Sequence, residues 1–442
     1  MKRSYLPALP LLTATLMLLP MISATAKAEE ELSLQAALGE GIANSPSLKK
    51  YEALHQEAKW RKVAAYSKVL PQVDFFANHN FDVKYQEVPV SLGGNNIVFP
   101  LPYPKSSYGV EASWTLFDGF ANWQSLGAAH LNEDAAESEY SRKDFETRKK
   151  IEISYYAAIA AVELANVAER NLKTVKESLS RAQLRLKNGM STSADLLRIE
   201  VQASEAQNEL ERAQDNIAIR RLQLAEAMGL NHDERKLQGT LPLPQLVTEV
   251  SGLEFKGVQD REDIIALQQK AEASHKEVRA SYGALVPSVA LVANYSRYDI
   301  DNYSLPENNA THDAYNIGIA ARWSILDGGA TIAKPGIQNA IDERVHSELS
   351  EALLKAPVDF QLWQRRYIYS AHFYKSRAED IKRSEESLRI VSAGFQQGTR
   401  IINEVLDAET DLFRARAGAV QAQLEAQEAL TQLELAIGRN IE

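Results

Sequence analysis

The chain has 442 residues, a formal net charge of −10 and no cysteine. Without thiols there is no disulfide framework, zinc–thiolate site, cysteine nucleophile or lipid-bearing N-terminal cysteine. The acidic balance argues against nucleic acid, which requires a basic footprint.

Residues 1–28 read as a secretory signal. Lys2 and Arg3 form the basic start, residues 6–22 the apolar core, and Ala26-Lys27-Ala28 a small-x-small cleavage site. Pro7, Pro10 and Pro20 interrupt the run, against a membrane anchor. No later segment reads as long and apolar enough to span lipid as a helix. Residues 32–48 predict a short helix broken near Asn44-Ser45-Pro46. Ser47 is placed to cap the next helix, which runs to about residue 70 and ends at Pro71.

The period then changes from helical to alternating. Val73, Phe75 and Ala77 oppose Gln72, Asp74 and Asn78. Tyr108, Val110, Ala112, Trp114 and Leu116 oppose Gly109, Glu111, Ser113 and Thr115. Between these strands, Gly93-Gly94-Asn95-Asn96 with Pro100, Pro102 and Pro104 reads as a loop. Phe117-Asp118-Gly119 marks a turn. Residues 120–188 then predict one helix without proline, roughly 100 Å long at ~1.5 Å per residue. Gly189 breaks it, and Ser191-Thr192-Ser193 offers caps for a return helix to about residue 228. The segment to residue 258, with Pro242 and Pro244, reads as a connector holding a short strand or helix.

The second half repeats the first. Gly109, Trp114, Asp118-Gly119, Gly189 and Gly229 recur as Gly318, Trp323, Asp327-Gly328, Gly398 and Gly438, all at an offset of 209; Pro71 and Pro287 stand 216 apart. Strands are predicted at Val289, Leu291, Ala293 and Tyr295, and at Tyr315, Ile317, Ile319, Ala321, Trp323 and Ile325. Pro335 is expected in the first turn of the second long helix or at a kink. The division is a signal at 1–28, a first structural repeat at 29–230, a connector at 231–258 and a second repeat at 259–442.

Helices this long, rich in alanine, suit coiled-coil packing rather than a compact core. The amphipathic strands suit a tilted membrane β-strand, with Trp114, Trp323, Tyr108, Tyr295 and Tyr315 as an aromatic girdle. Four strands cannot close a barrel, and open edges in lipid leave backbone groups unpaired at several kcal/mol each. Identical chains must pool strands: eight from a dimer or twelve from a trimer.

The duplicated order of helix–Pro–strand, strand–Trp-x-x-x-Asp-Gly, long helix–Gly–helix resembles the TolC-type outer-membrane efflux and secretion channels. Residues 398–409, from Gly398-Thr399-Arg400 to Asp407-Ala408-Glu409, look like that family's periplasmic tip; the first-half counterpart runs from Gly189 to Leu197. The resemblance implies a mainly α protein with membrane β structure. Three chains with four strands each would form a 12-stranded outer-membrane β-barrel joined to a long coiled-coil α-helical barrel. It further implies a periplasmic adaptor (membrane fusion) protein and an inner-membrane ABC or proton-driven transporter as partners, and passive transport without cofactor or catalysis. It maps a periplasmic entrance ring to Glu404 and Asp407, a tip gate contact to Asp195, Arg400 and Phe395, and the helix-turn tips to Gly189 and Gly398. A thin equatorial collar is expected, because few residues follow Gly438.

Glu404 and Asp407 lie three apart on one helical face, so threefold copies would ring an opening with carboxylates, which attract cations. Trp-x-x-x-Asp-Gly reads as a strand-to-helix corner rather than a ligand site. Catalytic signatures are missing: the eight histidines are scattered with no i, i+4 pair, and no phosphate loop or nucleophile elbow occurs. The rival readings are a periplasmic coiled-coil adaptor or scaffold without a channel, and a periplasmic enzyme. Drug efflux and protein secretion both fit the channel reading.

Overall fold

A computed structural model describes residues 31–82, 86–101, 104–255, 257, 261–299 and 311–441. The expected signal at 1–28 lies outside the described residues. Helices α1 (Leu34–Asn44) and α2 (Pro46–Ser67) meet at Ser45. Ser45, not Ser47, caps α2 by accepting a hydrogen bond from Leu48 N–H at 3.3 Å. Pro46 explains the shift: its missing N–H is harmless at the first helical position, so the cap is the residue before it.

Strands β1 (Gln72–His79), β4 (Ser106–Phe117), β5 (Ser288–Asp299) and β6 (Thr311–Arg322) form one antiparallel sheet in the order β1-β4-β5-β6. The stretch predicted as a loop is instead a separate hairpin of β2 (Gln86–Leu92) and β3 (Asn95–Leu101). Gly93 and Gly94, at φ +61° and +93°, make its two-residue turn, and prolines are tolerated because both strands are edges. β6 stops at Arg322, so Trp323 and Ile325 lie beyond the strand.

The long helices follow. α3 (Ala121–Lys187) and α4 (Ser193–Ala227) form the first antiparallel pair, α7 (Ala330–Gln396) and α8 (Ile402–Ile437) the second. α3 and α7 have 67 residues each. α7 runs through both Pro335 and Pro357. Pro335 is in the second turn rather than the first, and each proline removes one i to i−4 bond. Ala356 and Phe360, on either side of Pro357 in sequence, are buried, and Phe360 packs with Val250, Tyr367 and Leu433. Contrary to expectation, part of α3 is apolar and long enough to cross a membrane by composition alone. In this fold the stretch is core: Tyr155, residues 157–161 and Ala165 are buried.

Between the pairs, the connector contains α5 (Val247–Ser251), and α6 (Glu262–Tyr282) leads through a 3-10 turn at Gly283–Leu285 into β5. The connector is a belt. Leu32 bridges Leu237, the Tyr155 hydroxyl reaches the Leu32 and Gln238 carbonyls at 2.8 and 2.6 Å, and Gln423 donates to the Leu241 carbonyl at 2.7 Å. Gln364 donates to the Val250 and Leu253 carbonyls at 2.8 and 2.9 Å. Arg235 forks onto Glu40 and also grips Asp233, locking α1 to the belt. The layer around the helices is thus built mainly from the connector and α1, with Ile441 contributing at the edge of a cluster around Phe360 and Tyr367.

Side by side, the upper helices follow the order α2, α3, α6, α7, and the lower ones α4, α3, α8, α7. α3 is the spine. At mid-height Ile151, Tyr155 and Ala158 form its core with Leu224 and Met228 of the α4 end. The alanines at 157, 158, 160, 161, 165 and 168 are all buried, as close helix approach requires.

Candidate channel wall and entrance

Register decides what each face of the sheet carries, because directly paired residues point the same way. Phe75, Val110, Tyr295 and Tyr315 form one cross-strand row; Val73, Ala112, Ala293 and Ile317 form the next; Trp114, Leu291 and Ile319 a third. Phe75, Tyr315, Ile317 and Ile319 are exposed by 72, 79, 74 and 73%. The opposite face carries Asp74, Glu111, Asn294 and Asn316 in one row, with Asn294 donating to Glu111 at 3.0 Å. Across these three rows one face is apolar and bare and the other polar; the row beyond them puts Tyr108, Arg297 and Asp313 on the first face.

The corners joining sheet to helices show the repeat in atomic detail. The Trp114 indole donates to the Val69 carbonyl at 3.0 Å, and Trp323 donates to the Leu285 carbonyl at 3.2 Å. The tryptophans differ by 209 in number and their acceptors by 216. Asp118 accepts from Asn122 N–H at 3.0 Å, and Asp327 from Thr331 N–H at 2.9 Å, so each Asp-Gly corner satisfies a first-turn amide of the helix that follows. Tyr66 meets His130 at 2.9 Å, and Tyr282 meets the equivalent Asn339 at 3.4 Å. Gly119, at φ +70°, lies against Gly283, where a side chain on either would strike backbone. Trp114 and Tyr108 are six residues apart on β4, about 20 Å at ~3.4 Å per residue. Both are partly exposed on the apolar face; in the second half Tyr315 is exposed on the same face and Trp323 just beyond the end of β6.

At the far end of the helices, both reversals are glycine-ended caps. Met190 N–H reaches the Arg185 carbonyl at 2.8 Å, and Thr399 N–H reaches the Gly394 carbonyl at 2.9 Å. Gly189 and Gly398 supply the positive φ, +69° and +76°. Under the turns, Leu172, Val175, Ile199, Ile402, Val405 and Leu406 are buried together, joining all four long helices with Leu388, Val391 and Phe395.

The predicted tip residues do not all meet. Asp195 closes a capping box with Thr192: its carboxylate accepts from the Thr192 amide at 3.1 Å and hydroxyl at 2.8 Å. Those bonds, the hydroxyl first, hold its carboxyl below the usual range. Arg400 pairs with Glu404 at 2.8 Å, four residues on. Within one chain Asp195 and Arg400 are thus engaged separately. Phe395 is gripped by Arg185 of α3, whose guanidinium lies 4.4 Å from the ring centre and donates to the Phe395 carbonyl at 2.7 Å. Glu404 is half-buried, while Asp407 is exposed one turn further on. Two residues after Asp407 lies Glu409, on the buried side of α8. It is 3% exposed, accepts from Ser178 at 2.6 Å, and its second oxygen has no hydrogen-bond partner among the described residues. Burial pushes its carboxyl above the ordinary value.

Over residues 37–230 and 258–439 the sequence matches the family described as outer membrane efflux protein. The chain belongs to that family. It is a non-catalytic efflux channel protein of the Gram-negative outer membrane, with a helical periplasmic extension. It is similar to the outer membrane efflux protein BepC of Brucella suis, 23% identical over 71% of this chain and 68% of that protein. To the outer membrane protein TolC of Vibrio cholerae it is 20% identical over 89 and 88% of the two chains. Its fold is that of VceC from Vibrio cholerae, at a TM-score of 0.76 and 18% identity over 92% of this chain and 97% of VceC. The open-state MtrE channel of Neisseria gonorrhoeae superposes with a TM-score of 0.72 at 19% identity, covering 92 and 89%. The long helices and small sheet shared with these structures are the architecture described above.

Proposed function

We propose that three copies of this chain assemble into one passive exit duct, a 12-stranded barrel in the outer membrane continued by an α-helical tunnel through the periplasm. The observation that carries this reading is that every layer ends on open edges. Among the described residues the sheet stops at β1 and β6, each with one unpaired side. The upper helices stop at α2, with Trp60 and Val63 exposed, and at α7, with Ile337, Leu354 and Val358 exposed. The lower helices stop at α4, with Leu197, Val201 and Leu222 exposed, and again at α7. A sheet of four strands cannot curl on itself, whereas β6 of one copy pairing β1 of the next removes every edge. The choice of three over two rests on family membership.

In this assembly the apolar sheet face meets lipid, and Trp114, Trp323, Tyr108 and Tyr315 form the aromatic girdle. The polar face lines the pore. The turns at Gly189 and Gly398 form the periplasmic mouth, which docks on an adaptor protein and, through it, an ABC or proton-driven inner-membrane transporter. Glu404 and Asp407 ring the entrance. Arg400, Asp195 and Phe395 make the gate contact between neighbouring copies, where an exposed ion pair contributes only about 0–1 kcal/mol and so can open. The test is the detergent-purified protein: a mass of three chains on light scattering, and unitary conductance steps in a planar bilayer. A monodisperse single chain without conductance overturns the proposal.

A further inference from the structure

The internal repeat governs strand register as well as sequence. Raising the β1 residues by 216 and the β4 residues by 209 turns the β1–β4 pairs into β5–β6 pairs: Gln72 with Ser113 becomes Ser288 with Arg322, and Phe76 with Gly109 becomes Val292 with Gly318. Both products are observed pairs. The same operation applies to the seam between β4 and β5. It carries β4 onto β6 and, by lowering 216, β5 onto a β1. The chain's own β1 is bonded to β4 at the opposite edge of the sheet from β6, so this β1 belongs to another copy.

β6 is also shorter at its helix end than its counterpart. β1 pairs with β4 only as far as Ser113, and β4 runs on to Phe117 because β5 pairs with it there, Thr115 with Ala290 and Phe117 with Val289. β5 likewise pairs with β6 only as far as Arg322, the counterpart of Ser113, and there β6 ends. Trp323 and Ser324 stand where Trp114 and Thr115 stand in the continued strand, and among the described residues no strand lies on their outer side.

Resting on the duct proposed above, we infer that β6 pairs antiparallel with β1 of the next copy in the register that sets Ala321 opposite Ala77, and that β6 lengthens past Arg322 at this seam, with Trp323 opposite Phe75 and Ser324 opposite Asp74. The template is the observed pair of Ala112 with Ala293. Its two repeat counterparts, Ala321 and Ala77, are again alanines. Alternation alone does not fix this register: it forbids a slip of one residue, which turns apolar side chains into the pore, but permits a slip of two. The repeat chooses between them. The charges match the choice. Asp74 is directly opposite Glu111 on the polar face, where like charges repel. Arg322 is exposed on that face, opposite Ser288, and has no ion-pair partner among the described residues. The register stands it diagonal to Asp74 of the next copy, within reach of a long side chain.

The chain has no cysteine, so engineered pairs report without background. Opposed residues on antiparallel strands have Cα atoms ~4.5–5.5 Å apart, inside the ~4.4–6.8 Å that a disulfide spans, whereas a partner two residues off lies at ~7–8 Å. The detergent-purified full chain carrying Ala77→Cys with Ala321→Cys is oxidised and run on a non-reducing denaturing gel. The expected products are two and three linked chains that return to one on reduction. His79→Cys with Ala321→Cys, and Phe75→Cys with Ala321→Cys, should link several-fold less. Ala112→Cys with Ala293→Cys calibrates the oxidation: it should lose both thiols and migrate as one chain. Equal or greater linking by either displaced pair overturns the register, as does absence of linking by every seam pair while the 112–293 pair closes. Light scattering and conductance of the reduced variants keep the two proposals apart. A conducting assembly of three chains with the wrong cross-links loses the register alone; a single chain without conductance loses the duct and the register together.

Discussion

Lys149→Met tests how the two halves are held together at mid-height. Lys149 of α3 donates to Glu434 of α8 at 2.6 Å and to Glu152 at 2.9 Å; Lys149 and Glu434 are each 6% exposed. The second Glu434 oxygen accepts from Ile441 N–H at 3.0 Å. Burial disfavours the ammonium, but hydrogen bonds to Glu434 and Glu152, and the charges of both, outweigh it and raise the lysine above its ordinary value. With the folded value raised, the stabilisation is complete below the unfolded value and is lost only as pH climbs through the folded one. Around neutral pH the interaction is therefore fully present. Removing the ammonium leaves the Glu434 carboxylate buried with one amide donor, at a cost of about 3–5 kcal/mol. Glu434→Gln should cost less, about 1–2 kcal/mol, since Lys149 keeps Glu152 and Ile441 keeps an acceptor. Lys149→Met with Glu434→Leu replaces the pair by apolar volume and should recover much of the loss, because buried ion pairs are close to neutral against hydrophobic isosteres. Chemical denaturation followed by helical circular dichroism gives the three values. If Lys149→Met matched the parent, or if the double variant were no more stable than the single, the reasoning fails.

Gly189→Ala and Gly229→Ala separate backbone strain from crowding. Both glycines have positive φ, but a side chain at 189 meets open space, whereas one at 229 would stand 2.8 Å from the Asn44 carbonyl oxygen. The first should cost about 1–2 kcal/mol and the second measurably more in the same denaturation assay. Glu409 should make stability fall with rising pH. Its raised carboxyl favours the folded protein below the ordinary value, and that advantage is lost as pH climbs through the folded value. Glu409→Gln should remove that fall in melting temperature as pH rises above the ordinary carboxylate value, and an unchanged slope would place the titration elsewhere. Glu404→Ala with Asp407→Ala should weaken cation preference in reversal-potential recordings across a salt gradient; unchanged selectivity would remove these acids from the entrance.

Much of the fold was legible because the chain states it twice. Trp114 and Trp323, the two Asp-Gly corners and the turn glycines recur at fixed spacing, so one half's reading was checked by the other. The β2–β3 hairpin was not legible: Pro100, Pro102 and Pro104 signal a loop unless both strands are free edges. Pattern alone points to Ser47 as the cap; Pro46 at the first helical position moves it to Ser45. The grip of Arg185 on Phe395 joins residues 210 positions apart, a separation at which local pattern carries no information. Asp195 was found as a tip residue, but its capping role with Thr192 depends on atoms, not on its position beside the turn.

The hairpin falls in the one stretch where the internal offset shifts from 216 to 209, between Pro71 and Gly109 on one side and Pro287 and Gly318 on the other. Its seven surplus residues sit at the end of the sheet remote from the helices. Below that level the two halves are near-copies, and a ring built from them would present six almost equivalent sectors to anything approaching from the cell interior. At the outward rim the equivalence ends, because there the first half carries the β2–β3 hairpin.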